Sequence, residues 1–341
     1  MPKFAKFKAA AVQAAPCFLD TPATMQKVGK LVREAASAGA SIVVFPEVFV
    51  SGYPYWNWLK NPLDGSAWFQ RLYFSAIDVP GPEVEELCRL SRDNNIHIAI
   101  GVNERGAKSV GTIYNTNLLF SPEKGLINRQ RKLVPTFAEK LSWTAGDAHG
   151  LRVSETEIGP IGMLACGENT NTLARFALLA EGELLHIANF VAFPFVSSYD
   201  MPSAIKTRIG AHSFEGKVFS IVACSAMSPE IVDAIASNDE ERERMSGSPN
   251  AFSAIFNPHG VIISDPLVDV EGITYADIDL AECIAPKQYH DILGHYNRFD
   301  IFSLQINRTE QSPIRYIGDA TEPSGVGASE HETAPAAIPA Q

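Results

Sequence analysis

Residues 41–47 read SIVVFPE, a short apolar, β-branched run stopped by a proline, with a glutamate just beyond. A strand without polar alternation is covered on both faces, as strands are in parallel sheets flanked by helices. Upstream, TPATMQKVGKLVREAASAGA (21–40) repeats Met25, Val28, Leu31, Val32 and Ala35 at helical spacing, with Thr21 as cap, Pro22 in the first turn and Gly39 as the stop. KFKAAAVQAA (6–15) precedes it as a strand, so the chain opens strand, helix, strand.

The alternation continues outward. PGPEVEELCRLSRDNN (80–95) reads as a helix, IHIAIGV (96–102) as a strand, and TIYNTNLLF (112–120) and GLINRQRKL (125–133) as two neighbouring strands. Further on come helices near 171–181 and 201–216, strands LLHIANF (184–190) and VFSIVACSA (218–226), and hairpin-like strands through AFSAIFNPHGVIISD and GITYADIDL, with Pro258, His259 and Gly260 as turn residues. No composition break marks a linker, so residues 1–310 form one α/β domain. From about Gln311 the chain is rich in Pro, Ala, Ser, Glu and Gly without periodicity. Residues 311–341 read as a flexible tail or an arm that orders on assembly.

The 341 residues are 46% hydrophobic and 20% charged, with a formal net charge of -11. Nucleic acid and anionic membranes would be repelled, and the densest basic stretch, NRQRK at 128–132, is too short to override the mean. No apolar stretch approaches the roughly 18 residues of a membrane span. The first residues lack a secretory apolar core. Five scattered cysteines without a CxxC pair suit neither a disulfide framework nor a zinc site and fit a reducing cytoplasm. With no HExxH and no glycine-rich phosphate loop, neither metal nor cofactor is expected.

Three strand-like runs end in chemically capable side chains, where ligands bind in α/β sheets. VVFPEVFVSGYPYWNW delivers Glu47, NRQRKLVPTFAEK delivers Lys132 and Glu139, and IGMLACGENTNTLARF (161–176) delivers Cys166 between a strand and a helix start. Together they would serve acyl-transfer chemistry. Cys166 needs a base to become thiolate, which Glu47 supplies; Lys132 stabilises developing negative charge; backbone N–H groups around Gly167 serve as oxyanion donors. Each also has a plain structural reading: Cys166 as a core thiol, Glu47 as a loop-bracing carboxylate, Lys132 as a solvent-facing strand end, Glu139 as a surface partner of Lys140. Local spacing alone leaves both readings open. Asn169 and Arg175 read as braces of the helix start.

FPEVFVSGYP, RKLVPTFAEK and the Cys-x-Glu-Asn of LACGENTN, in that order, resemble the nitrilase branch of the carbon–nitrogen hydrolase superfamily, and the resemblance runs from about residue 5 to 304. It implies a four-layer αββα sandwich and a cysteine nucleophile, Cys166. Glu47 would be the general base, Lys132 the electrostatic stabiliser, and Glu139 a second pocket carboxylate. It further implies a homo-oligomer, a dimer or a larger spiral, acting on a small organic nitrile. An amidase or hydratase using the same residues, and a catalytically silent scaffold, are the alternatives. Family members often carry tryptophan after the nucleophile; this chain has Gly167, which bears on specificity. Tyr53, Tyr55 and Trp56 are read as lining the acyl side or, equally, as core.

Overall fold

The computed structural model describes residues 4–195, 199–312 and 314. One compact unit spans Met1–Thr309 and a second comprises Glu310–Gln341. The expected tail at 311–341 falls almost entirely outside the described residues.

The first unit opens with β1 (Lys6–Gln13), α1 (Thr21–Ser37), β2 (Ala40–Val44), α2 (Ser66–Ser75), α3 (Pro82–Asp93), β3 (His97–Arg105), β4 (Ile113–Ser121) and β5 (Gly125–Arg131). After a loop come β6 (Ser154–Thr156), β7 (Gly159–Ala165), α4 (Thr172–Ala180), β8 (Leu185–Phe190), α5 (Met201–Gly216) and β9 (Phe219–Cys224). The unit continues with α6 (Pro229–Ile235), α7 (Asp239–Arg244), β10 (Phe252–Phe256), β11 (Leu267–Val268) and β12 (Gly272–Asp279).

One sheet runs in the order β5-β4-β3-β2-β1-β12 and the other β6-β7-β8-β9-β10-β11, joined by a single residue pair, Gln13 with Cys224. The strands separated by crossover helices, β1-β2-β3 and β7-β8-β9, pair parallel, while the strands outside them pair antiparallel. Between the sheets lies one apolar layer, with Ala9, Ala11, Ile42 and Val44 facing Ile161, Met163, Ile187 and Ile221. The outer faces are covered by helices. Val28, Val32, Leu87 and Leu90 of α1 and α3 pack on the first sheet. Ile205 and Ile209 of α5 and Leu178 of α4 pack on the second. Each fully buried side chain of this kind contributes roughly 1.5–3 kcal/mol, so the layers α, β, β, α follow from strands that are apolar on both faces.

Two local expectations are corrected. Asp20, not Thr21, caps α1: its carboxylate accepts from Ala23 N at 2.9 Å, while the Thr21 hydroxyl donates to Ser75 O. The turn at 258–260 does close, through a bridge between Phe256 and Ile262. GITYADIDL, however, does not complete a hairpin with the preceding strand; β12 crosses to the other sheet and pairs antiparallel with β1 over its whole length. Among the described residues no helix is long and apolar enough to cross a membrane, and all five cysteines are free.

Candidate active site

Three strand ends converge. Beyond β2 the chain turns sharply through Pro46–Val50, with Val48 at φ 42°, and this turn carries Glu47. Gly101 of β3 makes room for it: a Cβ there would sit 2.2 Å from Val48 N. Gly101 N donates to Pro46 O at 3.2 Å and Val50 N donates to Gly101 O at 3.1 Å, so the turn is sewn to β3. Lys132 directly follows β5. Its backbone is fixed by donation to Asn115 O on β4 (2.7 Å) and by accepting from Gly146 N (2.8 Å). Deeper in the same strands, the buried carboxylate of Glu104 on β3 pairs with Arg129 and Arg131 of β5 and accepts from the Thr116 hydroxyl, locking the register that aims Lys132.

The Lys132 ammonium is buried and donates to two carboxylates, Glu47 Oε1 and Glu139 Oε2, each at 2.7 Å. Glu139 sits in a short 3-10 helix, Phe137–Leu141, and also accepts from Thr136 N at 2.6 Å and the Tyr53 hydroxyl at 3.1 Å. Tyr53 in turn accepts from the Trp58 indole at 3.0 Å. Glu47 Oε1 also accepts from Asn115 Nδ2 at 2.7 Å, but Glu47 Oε2 is buried with no hydrogen-bond partner. A buried carboxylate oxygen without a donor is costly unless a substrate or thiol proton uses it.

Two acids share one ammonium, so the fully ionised trio carries a net negative charge. Burial raises Glu47 above the ordinary carboxylate range against the pull of Lys132, and the neighbouring Glu139 charge raises it further. Burial alone would push Lys132 down, but the two carboxylates outweigh it and hold the ammonium well above its usual value. A base of raised affinity beside a permanently charged lysine is a proton acceptor suited to neutral pH.

Cys166 directly follows β7 and starts a second 3-10 helix, Cys166–Thr170, with its backbone in the left-handed region at φ 45°. Burial pushes its thiol well above the usual range, and the negative Glu47 adds to that rise while Lys132 opposes it. The resting sulfur is therefore a thiol, and a base must take its proton before it can attack. Cys166, Gly167, Thr136 and Glu139 open onto one cavity of about 540 Å³, walled by Tyr53, Trp58, Phe137, Phe193 and Tyr199 and including Arg208 of α5.

Glu47, Lys132, Glu139 and Cys166, singled out from separate segments, are thus brought together; Glu139, Cys166, Gly167 and Tyr53 line the cavity, and Glu47 and Lys132 lie behind that lining. Trp56 does not. It is buried in the core, stacked on Trp68 with ring centroids 5.6 Å apart, and Trp58, two residues on in the same 3-10 turn (Tyr55–Trp58), lines the cavity instead. Tyr55 also points away, toward the Ser225 hydroxyl. Asn169 does not brace the helix start, since Asn171 caps α4; it bonds back to the strand end, and Arg175 ties α4 to Glu215 of α5.

Three residues escaped sequence reasoning. Asn115 sits in the middle of an apolar strand, where its polarity was the available signal. Glu168 accepts from Leu133 N (2.5 Å) and Ala165 N (3.0 Å), clasping the lysine and cysteine segments; burial raises it to about 7 against those two bonds. Arg208 donates to the Tyr199 hydroxyl at 2.8 Å and has no carboxylate partner among the described residues. Nothing local distinguishes it from any other helix arginine.

A carbon–nitrogen hydrolase family model matches residues 8–288. The chain is 36% identical over 324 residues to a nitrilase of Bacillus sp. (strain OxB-1), covering 94% of each protein. It is 34% identical over 314 residues to an aliphatic nitrilase of Rhodococcus rhodochrous, covering 90% of this chain and 84% of that one. Among solved structures, Saccharomyces cerevisiae Nit3, a member of branch 10 of the nitrilase superfamily, shares the fold with a TM-score of 0.65 at 21% identity, over 83% of this chain and 94% of that chain. Both the matched span and the identity to full-length relatives lead to one conclusion: this chain belongs to the carbon–nitrogen hydrolase family, in its nitrilase branch.

Proposed function

We propose that the protein is a nitrilase that converts an organic nitrile and two waters into a carboxylic acid and ammonia. The observation that carries this reading is Oε2 of Glu47, without a partner among the described residues, on a carboxylate held by Lys132 and Asn115 and close enough to the cavity-lining Cys166 thiol to act on its charge. Its similarity to two proteins named as nitrilases supports the same reading.

Glu47 takes the Cys166 proton as sulfur bonds to the nitrile carbon, and the nitrogen gains a proton to give a thioimidate. Lys132 stabilises the charge that develops at that nitrogen, in a site with little water to screen it. Water, deprotonated by Glu47, adds to the thioimidate; the C–N bond breaks, ammonia leaves and a thioester remains. A second water attacks the thioester, the C–S bond breaks, and the acid departs as sulfur recovers its proton. Backbone donors around Gly167 bind the oxyanions of the later steps. The aromatic walls and the space left by Gly167 favour substrates with an apolar body of aromatic size.

Intact-mass measurement after brief exposure to a nitrile panel tests this directly. A mass gain confined to Cys166, acid as the main product by HPLC, and loss of turnover in Cys166→Ala are expected. Predominant amide would make the protein a hydratase, and turnover of amides alone an amidase.

We further infer a cytoplasmic homo-oligomer, supported by large apolar side chains left open to solvent, among them Leu173, Phe214, Phe299 and Phe302.

A further inference from the structure

Behind the cavity lies a second buried set of titratable groups. Glu183, His186 on β8 and His212 on α5 are fully buried, with donor and acceptor atoms within 4.8 Å of one another. Glu183 Oε2 lies 3.0 Å from His186 Nδ1, and Glu183 Oε1 lies 2.7 Å from His212 Nε2. His186 Nε2 reaches Asn169 Oδ1 at 2.8 Å. Asn169 Nδ2 faces two carbonyls, Leu164 O at 3.1 Å and Cys166 O at 3.0 Å.

Donor and acceptor chemistry fixes the protons. Carbonyl oxygens only accept, so Asn169 presents its NH₂ to them and its Oδ1 must receive a proton from His186 Nε2. Burial would raise the Glu183 carboxyl, but the two histidines outweigh it and hold it at about 2, so this group too only accepts. His186 therefore donates from Nε2 to Asn169, while its Nδ1 faces the Glu183 carboxylate. His212 donates from Nε2, has a bare Nδ1, and is pushed by burial and the neighbouring His186 down to about 4, which keeps it neutral. The trio is filled by its own hydrogen bonds rather than open to an ion. Glu183 Oε2 lies so close to Gly162 that a Cβ there would come within 1.7 Å of it.

This chain of bonds ends on the nucleophile's own backbone. Cys166 holds a φ of 45° that L residues seldom adopt, and the two carbonyls bound by Asn169 flank it. We propose that Glu183, His186 and Asn169 form a positioning relay that holds the Cys166 backbone in its left-handed conformation and so aims the thiol. None of the three lines the cavity. The Glu183 carboxylate faces the His186 ring and orients it, the Nε2–H of that ring polarises the Asn169 amide, and the polarised amide grips both carbonyls more firmly. The relay rests on reading Cys166 as the nucleophile.

Asn169→Asp tests it, because the carboxylate keeps the shape and the acceptor for His186 but loses both donors. A fall of about 10²-fold in kcat is expected from the misaimed thiol, with KM changed by less than roughly threefold. Alkylation of Cys166 by iodoacetamide, followed by peptide mass spectrometry and normalised to folded protein, falls in parallel. His186→Gln, which retains a donor toward Asn169, alkylates faster than His186→Leu. Unchanged alkylation per folded molecule in Asn169→Asp overturns the relay, as do equal rates for the two His186 variants. If Cys166→Ala leaves turnover of nitriles and amides unchanged, the nucleophile reading fails on its own, and the alkylation rates still decide whether the relay exists.

Discussion

At the scale of single residues, the site works by giving three neighbours different protonation duties. In the proposed mechanism Glu47 must be ionised to accept the thiol proton, and burial has raised its affinity for protons. Activity therefore falls as pH drops through a point above the ordinary carboxylate value of 4.5. Glu139 contributes to that rise by like-charge repulsion, so Glu139→Gln should move the acidic limb of the kcat/KM profile to lower pH; a limb that stays in place or moves up contradicts the assignment. Glu47→Gln keeps an oxygen for Lys132 and Asn115 but removes the base. Steady-state kinetics should show kcat reduced by about 10²–10⁴, with the thermal midpoint little changed. Glu47 was legible as a candidate because it follows a strand-like run, but local spacing left its role and that of Glu139 open, and only the family resemblance chose between the readings. Glu168, Asn115 and the Glu183 cluster were not legible, because their partners lie on other elements and no local spacing records them.

At the scale of elements, catalytic aim depends on how closely backbones approach. The turn bearing Glu47 lies directly on β3 because Gly101 has no side chain. Gly101→Ala should cost about 1–3 kcal/mol by crowding and, by displacing Glu47, cut kcat more than tenfold; thermal melts and kinetics on one preparation measure both. Wild-type kinetics would mean that the turn yields without moving its carboxylate. Periodicity found β1–β5, β7–β10 and β12, with α1 and α3–α5, to within a few residues, but missed helices α2, α6 and α7 and the short strands β6 and β11. It failed to place β12, whose pairing with β1 spans nearly the whole chain, since a period of two says which face is buried but not which strand lies alongside. It also failed to separate Trp56 from Trp58, because in a 3-10 turn two positions of spacing exchange the core for the cavity.

At the scale of the molecule, two sheets that touch through one residue pair are held together by apolar packing between their faces. Strands β2, β5 and β7 bring their C-terminal ends to the same rim, which is why Glu47, Lys132 and Cys166 meet although 119 positions separate the first from the last. Several large apolar groups remain on the outside. Light scattering at working concentration should give a mass of at least twice 37.1 kDa, and a monomer would count against the proposed oligomer. A further consequence attaches to the raised thiol of Cys166. Peroxide and oxygen attack sulfur chiefly in its anionic form, and the resting enzyme presents almost none. The nucleophile is thus armed only during turnover, and the burial that obliges it to borrow a base also preserves it against oxidative loss while no nitrile is at hand.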